Sequence, residues 1–228
     1  MIGFNNIKIE SPLKINTLLE MKMEQGINEH GKLYIKAIVE EEEEFDTSIN
    51  TSLGDEIYIY GEDEGKKDIF KGIIYSIEVK NTTEVYTAEI HCISGSYMLD
   101  TKEKNRSFQD KEMEYPALIE EIIKDYKDKD YNNIVGDGVK IKHPIIQYKE
   151  SDWQLLKRLV SQFNQVLVCD IIRGGIRFHF GMPKGDSVTI PEDIPYTATK
   201  DIFAYKKAKA LGGQVTDIDF FYYIVESY

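Results

Sequence analysis

The segment from Tyr148 to Asp170 constrains the fold most, because its pattern marks both where a helix begins and the strand-like run after it. Ser151 can cap the helix, and Gln154 three residues later can return a hydrogen bond, which makes a capping box. Asp152 adds a negative charge at the positive end of the helix dipole. Apolar residues at helical spacing then predict one buried face, formed by Trp153, Leu156, Leu159, Val160 and Phe163. The pattern by itself is equally typical of any well-capped core helix.

The length and the net charge of the chain limit the classes of protein to which it can belong. The chain has 228 residues, so one domain or two closely joined domains are expected. Its net charge of -12 argues against stable nucleic-acid binding, because a DNA-binding face needs Lys and Arg to neutralise phosphates. The same charge suits a pore through which DNA or an acidic cargo slides without sticking. It also suits an ordinary acidic protein.

The cysteines and the chain start indicate a cellular compartment. Cys92 and Cys169 lie in apolar, strand-like runs and are predicted to be buried, reduced thiols. The first residues, Met1 to Glu10, lack the basic start and apolar core of a signal peptide. No apolar run approaches the roughly 20 residues that a membrane span needs. We therefore expect synthesis in the cytoplasm without a signal peptide, and no membrane insertion by the chain itself.

Residues 1–98 read as short strands separated by turns. Apolar and polar residues alternate over 6–9, 19–24, 33–39, 56–60, 69–77 and 85–93. A helix over Ile15 to Gln25 is the competing interpretation of the second segment, because its residues are good helix formers. Asn28 to Gly31 is a predicted turn, and Gly72 indicates a bulge or a close backbone approach. The five glutamates of Glu40–Glu44 repel one another, so they should lie in solvent or near a cation. The spacing predicts a small antiparallel barrel.

In residues 99–190 the strand pattern gives way to a mixture of helix and strand patterns, which predicts an α+β insertion. The polar segment from Asp100 to Phe108 is interpreted as a loop. Pro116 suits the first turn of a helix, whose apolar face comprises Leu118, Ile119, Ile122, Ile123 and Tyr126. Charge and turn residues from Lys127 to Asn133 end that helix. An extended stretch over 144–147, the capped helix, and a hairpin of 166–172 with 176–180 around Gly174-Gly175 complete the insertion.

Residues 191–228 predict the start of a second, incomplete barrel. Phe203 to Lys209 and Asp217 to Tyr228 have strand patterns. The segment Phe220–Glu226 resembles the earlier Tyr34–Glu40, although chance similarity between two strands is the alternative. The predicted fold class is therefore α+β and mainly β, with a tube-like antiparallel barrel, an α+β insertion and a partial second barrel.

Twelve residues around the helix start also resemble a known family. The pattern Tyr-x-Glu-Ser-Asp-x-x-x-Leu-x-Arg-Leu at 148–159 is similar to the hallmark of the baseplate hub family of contractile tails. That family includes phage late control D proteins and the VgrG proteins of type VI secretion. Shorter matches are Asn28–His30, before a long strand, Phe70–Ile74, like a Phe-x-Gly-x-Ile strand, and Asn105–Gln109, leading out of the barrel. The ordered set spans roughly residues 5–226.

The resemblance implies a structural role without catalysis or cofactor. In such hubs three chains form a ring, and two tube-like barrels per chain adapt a trimeric spike to a hexameric tail tube. Partners would be further copies of the chain (a homotrimer), the tail tube protein, a spike or needle protein and other baseplate proteins, within the tail baseplate of a phage or phage-like particle. Relatives usually continue through a complete second barrel. The residues carried over as structural or assembly residues are Tyr148, Glu150, Ser151, Asp152, Trp153, Leu156, Arg158 and Leu159.

Two interpretations of the charged motif residues stay open. The helix could present Asp152 and Arg158 to a neighbouring chain in the ring. Alternatively, Asp152 only complements the helix dipole, and Arg158 interacts with a helix end or nearby carbonyl groups.

No residues are predicted to be catalytic, cofactor-binding or metal-binding. The histidines, His30, His91, His143 and His179, lack metal-ligand spacing, and neither a nucleophile elbow nor a P-loop is present. One alternative is a peptidoglycan-degrading tail enzyme that uses Glu41–Glu44 with Asp46, since glycosidases need paired carboxylates. Another is a glycan- or receptor-binding module with Tyr58 and Tyr60 as platforms.

Overall fold

The computed structural model describes residues 6–40, 54–62, 65–82, 85–184 and the strand at 223–226. Within these ranges the chain is mainly β. The strands are β1 Ile7–Glu10, β2 Ile15–Glu24, β3 Lys32–Val39, β4 Glu56–Glu62, β5 Lys66–Thr82, β6 Val85–Ser94, β7 Glu103–Phe108, β8 Lys129–Asn133, β9 Ile145–Ser151, β10 Leu167–Cys169, β11 Ile176–Phe180 and β12 Tyr223–Glu226. The helices are α1 Tyr115–Ile123 and α2 Asp152–Ser161, and a 3₁₀ turn spans Gly95–Leu99.

Seven strands form one curled antiparallel sheet in the order β1-β4-β5-β6-β3-β2-β12. Side chains alternate between its two faces, as the period of two in the sequence predicts. The inner face is closely packed, and its fully buried members include Ile35, Ile57, Ile59, Phe70, Ile74 and Ile90. The predicted mainly β, α+β fold class is confirmed.

The second strand shows tertiary packing overriding helix propensity. β2 pairs with β3 along its whole length, so the helix over Ile15 to Gln25 is wrong. Met21 and Met23 are buried two residues apart, which a strand achieves and a helix does not. Good helix formers thus occupy a strand, because burial against the sheet outweighs a propensity difference of a few tenths of a kcal/mol per residue.

Gly72 marks a close approach of two strands rather than a bulge. A Cβ atom at this position would collide with the carbonyl oxygen of Ile93 and lie 2.7 Å from the ring of Phe70. The irregularities of β5 lie instead opposite the step between Ile59 and Tyr60, and between Ile74 and Ser76. The glycine is therefore required by packing inside the barrel.

The insertion contains two strands that polarity concealed. The predicted loop from Asp100 to Phe108 is wrong, because β7 pairs antiparallel with β9. Lys127 to Asn133 also contains a strand, since β8 pairs parallel with β11. Both strands carry few apolar residues, and hydrophobic alternation is the signal on which strand prediction depends.

Several other elements predicted for the insertion are present, although α1 ends at Ile123, so that Tyr126 lies beyond the helix on whose face it was predicted. Pro116 lies in the first turn of α1, whose inward residues are Leu118, Ile119, Ile122 and Ile123. β10 and β11 form the predicted antiparallel hairpin. The predicted turn at Asn28–Gly31 is present as well, and Asn28 adopts a positive φ of 60° there.

The insertion joins the sheet at one end of its strands. Asn28 N donates to the carbonyl of Leu167 (2.8 Å), and Lys71 N donates to that of Ile171 (2.7 Å). A Cβ atom on Gly95 would collide with the carbonyl oxygen of Gly175, so the barrel exit and the hairpin turn are in backbone contact. These contacts lie at the start of β3, opposite its end at Val39.

The chain end contributes the last strand of the same sheet. β12 pairs antiparallel with β2, with Tyr223 opposite Met23 and Glu226 opposite Glu20. The rest of the predicted partial second barrel, and the predicted strand at Phe203 to Lys209, lie outside the described residues. The second barrel and the boundaries at 98 and 190 therefore stay predictions.

Candidate functional site

The family-motif helix begins with the predicted capping box. Ser151 Oγ accepts a hydrogen bond from Gln154 N (3.1 Å), and Gln154 Oε1 accepts one from Ser151 N (3.1 Å). Ser151 Oγ also donates to Asp100 Oδ1. The cap therefore fixes the helix start and attaches it to the segment that leaves the barrel.

Asp152 is the centre of a buried polar cluster. Its side chain is fully buried and accepts from Lys104 Nζ (2.6 Å), Tyr126 OH (2.7 Å) and Gln147 Nε2 (2.9 Å), and from Arg106 Nη2. We call these five residues the Asp152 cluster. Burial, together with the hydrogen bond to Asp152, raises the pKa of Tyr126, so that its hydroxyl stays a donor. The cluster ties β7, β9 and the end of α1 to the first residue of α2.

This geometry changes the interpretation of Asp152. The carboxylate does not face solvent, so it is not displayed as part of an outer surface of this chain. Nor is it limited to complementing the helix dipole, since two cations and two neutral donors satisfy it directly. A buried carboxylate needs such partners, because burying an unpaired charge is costly.

Sequence reasoning missed four members of the Asp152 cluster. Lys104 and Arg106 stand two residues apart, at the spacing that places side chains on one face of a strand. That alternation of cations was the available signal, but polarity led to a loop assignment. Tyr126 and Gln147 carried no signal of their own, because their roles depend on contacts across 26 and 5 residues.

Arg158 and Glu150 pair on the surface beside the Asp152 cluster. Arg158 Nε and Nη2 donate to the two carboxylate oxygens of Glu150 (3.0 and 2.8 Å), and Nη2 also donates to the carbonyl of Ile146 (2.8 Å). The hydrogen bond with Glu150 raises the pKa of Arg158. The predicted contact of Arg158 with nearby carbonyl groups is thus present, together with a carboxylate partner that the sequence pattern did not reveal. Exposed pairs of this kind contribute little stability.

Tyr148 is the family-motif residue that points outward. Its side chain is 69% exposed, and Ile146 on the same face of β9 is 62% exposed. The next residue, Lys149, adopts a positive φ of 45°, and its amide donates to Asn105 Oδ1 (2.9 Å). The irregular backbone therefore lies where the strand displays its aromatic side chain.

Trp153, Leu156 and Leu159 form the buried face predicted for the helix, together with Val160 and with Leu155, which was not among the predicted residues. Phe163, which was predicted on the same face, is half-buried and follows the helix, which ends at Ser161. The indole of Trp153 lies 4.3 Å from the His30 ring and 6.4 Å from that of Phe178, between centroids. Its Nε1 donates to the carbonyl of Asn28 (3.4 Å). Trp153 thus connects the motif helix to the turn at the end of the barrel.

A second polar chain crosses the same junction. His30 Nδ1 lies 2.9 Å from Ser96 Oγ, and His30 Nε2 lies 3.5 Å from Asp100 Oδ2. The order of serine, histidine and carboxylate resembles a nucleophile with its base, but Ser96 is fully buried and out of reach of a substrate. The chain serves to connect the barrel turn, the 3₁₀ turn and the helix cap.

Burial gives His30 a predictable pH dependence. Burial lowers its pKa below 6.5, an effect that Asp100 partly opposes and Lys157 and Lys32 reinforce. The unfolded chain therefore binds a proton more readily than the folded one as pH falls past about 6.5, which removes stability. We expect the free energy of unfolding to fall between about pH 7.5 and about pH 5, above the range in which carboxylates titrate. Urea unfolding at both pH values measures it.

The matched variants for this prediction are His30→Gln, His179→Gln and His143→Gln. Burial lowers the pKa of His179 as well, so both it and His30 contribute to the slope. We expect His30→Gln and His179→Gln each to flatten the pH dependence. His143→Gln, at an exposed position, is the control for the exchange of side chain. An unaltered slope in His30→Gln would contradict the assignment.

Both cysteines are buried free thiols, as predicted. Burial raises the pKa of Cys92 to about 12 and that of Cys169 to about 11. Cys169 Sγ accepts from the amide of Gly31 (3.1 Å), so it packs at the junction of barrel and insertion.

The residues of the two alternative functions lie away from the motif helix or outside the described residues. The rings of Tyr58 and Tyr60 lie 5.1 Å apart at an interplanar angle of 34°, and Lys66 Nζ lies 4.5 and 3.9 Å from their ring centres. One cation therefore already contacts both rings of the predicted glycan platform. The carboxylates of the predicted enzyme site, Glu41–Glu44 with Asp46, are among the residues that the structure does not describe.

Metal-binding clusters and membrane-spanning helices are both absent from the described ranges. Among those residues, no three His, Cys, Asp or Glu side chains lie close enough together to hold a metal ion. The described helices are too short or too polar to cross a bilayer.

The fold is that of tail proteins from phages and of a component of a related secretion system. The Escherichia coli c3393 protein, a type VI secretion component with structural similarity to bacteriophage T4 tail proteins, matches with a TM-score of 0.57 at 15% identity. The match covers 76% of this chain and 48% of that protein. The family resemblance read from the sequence is thus confirmed at the level of fold.

Two tail proteins match in the same way. The 43 kDa tail protein of prophage MuSo2 from Shewanella oneidensis has a TM-score of 0.56 at 12% identity, over 75% of this chain and 52% of its own. A tail protein of Neisseria meningitidis MC58 has a TM-score of 0.53 at 8% identity, and the match covers 76% of this chain and 49% of that protein. The chain spans about half the length of these structures. No protein-family model and no curated protein sequence matches it.

Proposed function

We propose that this chain is a structural baseplate component of a contractile phage tail or phage-like injection particle. The observation that carries the proposal is the combination of a curled antiparallel sheet with an insertion held by the Asp152 cluster, in a fold similar to that of tail proteins. More specifically, we propose that the chain is a hub protein that adapts a trimeric spike to a hexameric tail tube. The partners would be the tube protein, a spike or needle protein and other baseplate proteins.

The chemistry of the motif supports a role in assembly. The Asp152 carboxylate at the centre of the cluster is closed to solvent, so the cluster holds the insertion in one arrangement rather than reacting with a substrate. Tyr148 and Ile146 are displayed beside it and supply the apolar surface that a protein partner covers. Rings of identical subunits need such surfaces at fixed angles, which a rigid connection provides.

The proposal predicts self-association into a trimer. We expect light scattering after size exclusion, over a range of concentrations, to give three times the chain mass of 26.3 kDa. Tyr148→Ser should weaken the trimer if the displayed surface is an interface. Tyr75→Ser, at an aromatic residue that is 50% exposed on the barrel, is the matched control. A chain that remains monomeric and binds neither tube nor spike protein would refute the proposal.

A further inference from the structure

The described residues that line a groove in the insertion include no Asp or Glu, although the chain has 40 acidic and 28 basic residues. Its buried or half-buried floor includes Tyr115, Ile141, Ile145 and Phe163. Its exposed rim carries Lys140, Lys142 and Arg158. The groove has a volume of about 330 Å³. Since an apolar cavity of about 150 Å³ holds benzene, it has room for a phenyl ring.

The rim combines a free cation with exposed apolar surface. Lys140 pairs with Glu112 and Arg158 with Glu150, whereas Lys142 forms no ion pair within the part of the chain that the structure describes. Ile146 is 62% exposed at the edge of the groove and Val139 is 36% exposed. Such a site fits an acidic segment that carries one large apolar side chain.

The chain itself contains a segment of this chemistry. Residues 41–46 read Glu-Glu-Glu-Glu-Phe-Asp, and the mutual repulsion of the carboxylates predicts that these glutamates lie in solvent or near a cation. Glu40, which precedes them, has a partner of its own, because its carboxylate lies 3.7 Å from Lys14 Nζ. The carboxylates complement the rim, where no described residue pairs with Lys142, and Phe45 complements the apolar floor.

Strand geometry favours a groove on another copy. β3 has 8 residues, so Val39 lies about 23 Å from its start, where the insertion joins the sheet. Phe45 follows Val39 by six residues and therefore reaches at most about 20 Å from that end. The reach of Phe45 is therefore shorter than β3 itself. The groove lies in the insertion, which joins the sheet at the far end of that strand.

We infer that Glu41–Asp46 of one copy docks in the groove of a neighbouring copy, with Phe45 in the floor and the glutamates beside Lys142. The inference rests on the proposed function in requiring adjacent copies. It adds a specific contact between them, of stated chemistry, to the general prediction of a ring.

Cross-linking between two variants tests the contact. Asp46→Cys chains are mixed with His143→Cys chains and treated with a short thiol-bridging reagent, while the native thiols stay buried. We expect a covalent pair of twice 26.3 kDa in the mixture. Lys142→Glu should lower its yield about fivefold through charge reversal, and Phe45→Ala about tenfold through lost apolar burial. Lys127→Glu, an exposed lysine after α1, is the matched charge control, and Tyr75→Cys replaces His143→Cys as the positional control.

The outcomes separate this inference from the proposed function. If light scattering shows trimers but no Asp46–His143 pair forms, the docking contact is wrong and the hub proposal stands. If a chain carrying both cysteines links only within itself at every dilution, the segment binds its own groove and the contact between copies is refuted. If neither trimers nor cross-linked pairs form, both proposals fail.

Discussion

Asp152→Ala is expected to lower the free energy of unfolding by about 3 kcal/mol, because it leaves two partly buried cations without their partner. Lys104 and Arg106 are only 19% and 22% exposed, and both donate to this carboxylate. Tyr126 and Gln147 lose an acceptor in the same step. Unpaired buried donors each carry a desolvation cost, so the loss exceeds that of one ordinary hydrogen bond. Urea unfolding measures it.

Two variants control for the change of charge. Glu121→Ala removes a carboxylate from an exposed pair with Lys124 and should change stability far less, because solvent screens that pair. Asp152→Asn keeps the shape of the side chain and two hydrogen-bonding atoms, so its effect should be intermediate. If Asp152→Ala and Glu121→Ala were equally stable, the Asp152 cluster would not hold the insertion together.

Trp153→Ala is expected to destabilise the chain by about 3–5 kcal/mol, since it empties a large volume at the junction of barrel and insertion. The indole is 1% exposed and contacts the rings of His30 and Phe178. It also donates to the carbonyl of Asn28, and the variant removes that donor. Thermal and urea unfolding give the size of the loss.

Tyr148→Ala separates packing from assembly within the same motif. Its side chain is 69% exposed, so the variant should keep the stability of the unmodified chain. The proposed function predicts weaker association instead. A Tyr148→Ala chain as unstable as Trp153→Ala would mean that the displayed residue is part of the core, which its exposure contradicts.

These expectations divide the motif by the environment of its residues. Ser151, Asp152 and Trp153 act inside the chain, where they position the helix against two other parts of the fold. Tyr148 lies outside, together with exposed Arg158 and its half-buried partner Glu150. The stretch that carries the family resemblance therefore combines a rigid internal connection with a small outer surface, and the two can be tested by separate measurements.

The sequence by itself determined the features that arise within a few residues. The capping box needs Ser151 and Gln154 three positions apart, and the buried face of α2 needs apolar residues at helical spacing. The barrel strands were predictable for the same reason, because alternation over a single strand reports which face is buried. Where two local patterns conflicted, as in β2, pairing with β3 decided between them.

The tertiary structure decided what depends on distant partners. Lys104 meets Asp152 across 48 residues and Arg106 across 46, so the alternation of these cations did not show that this face of β7 packs against a buried carboxylate. The parallel pairing of β8 with β11 was likewise not predicted, because the polar sequence of β8 did not indicate a strand. A polar side chain can be buried only where its partners converge, and that convergence is a property of the folded chain.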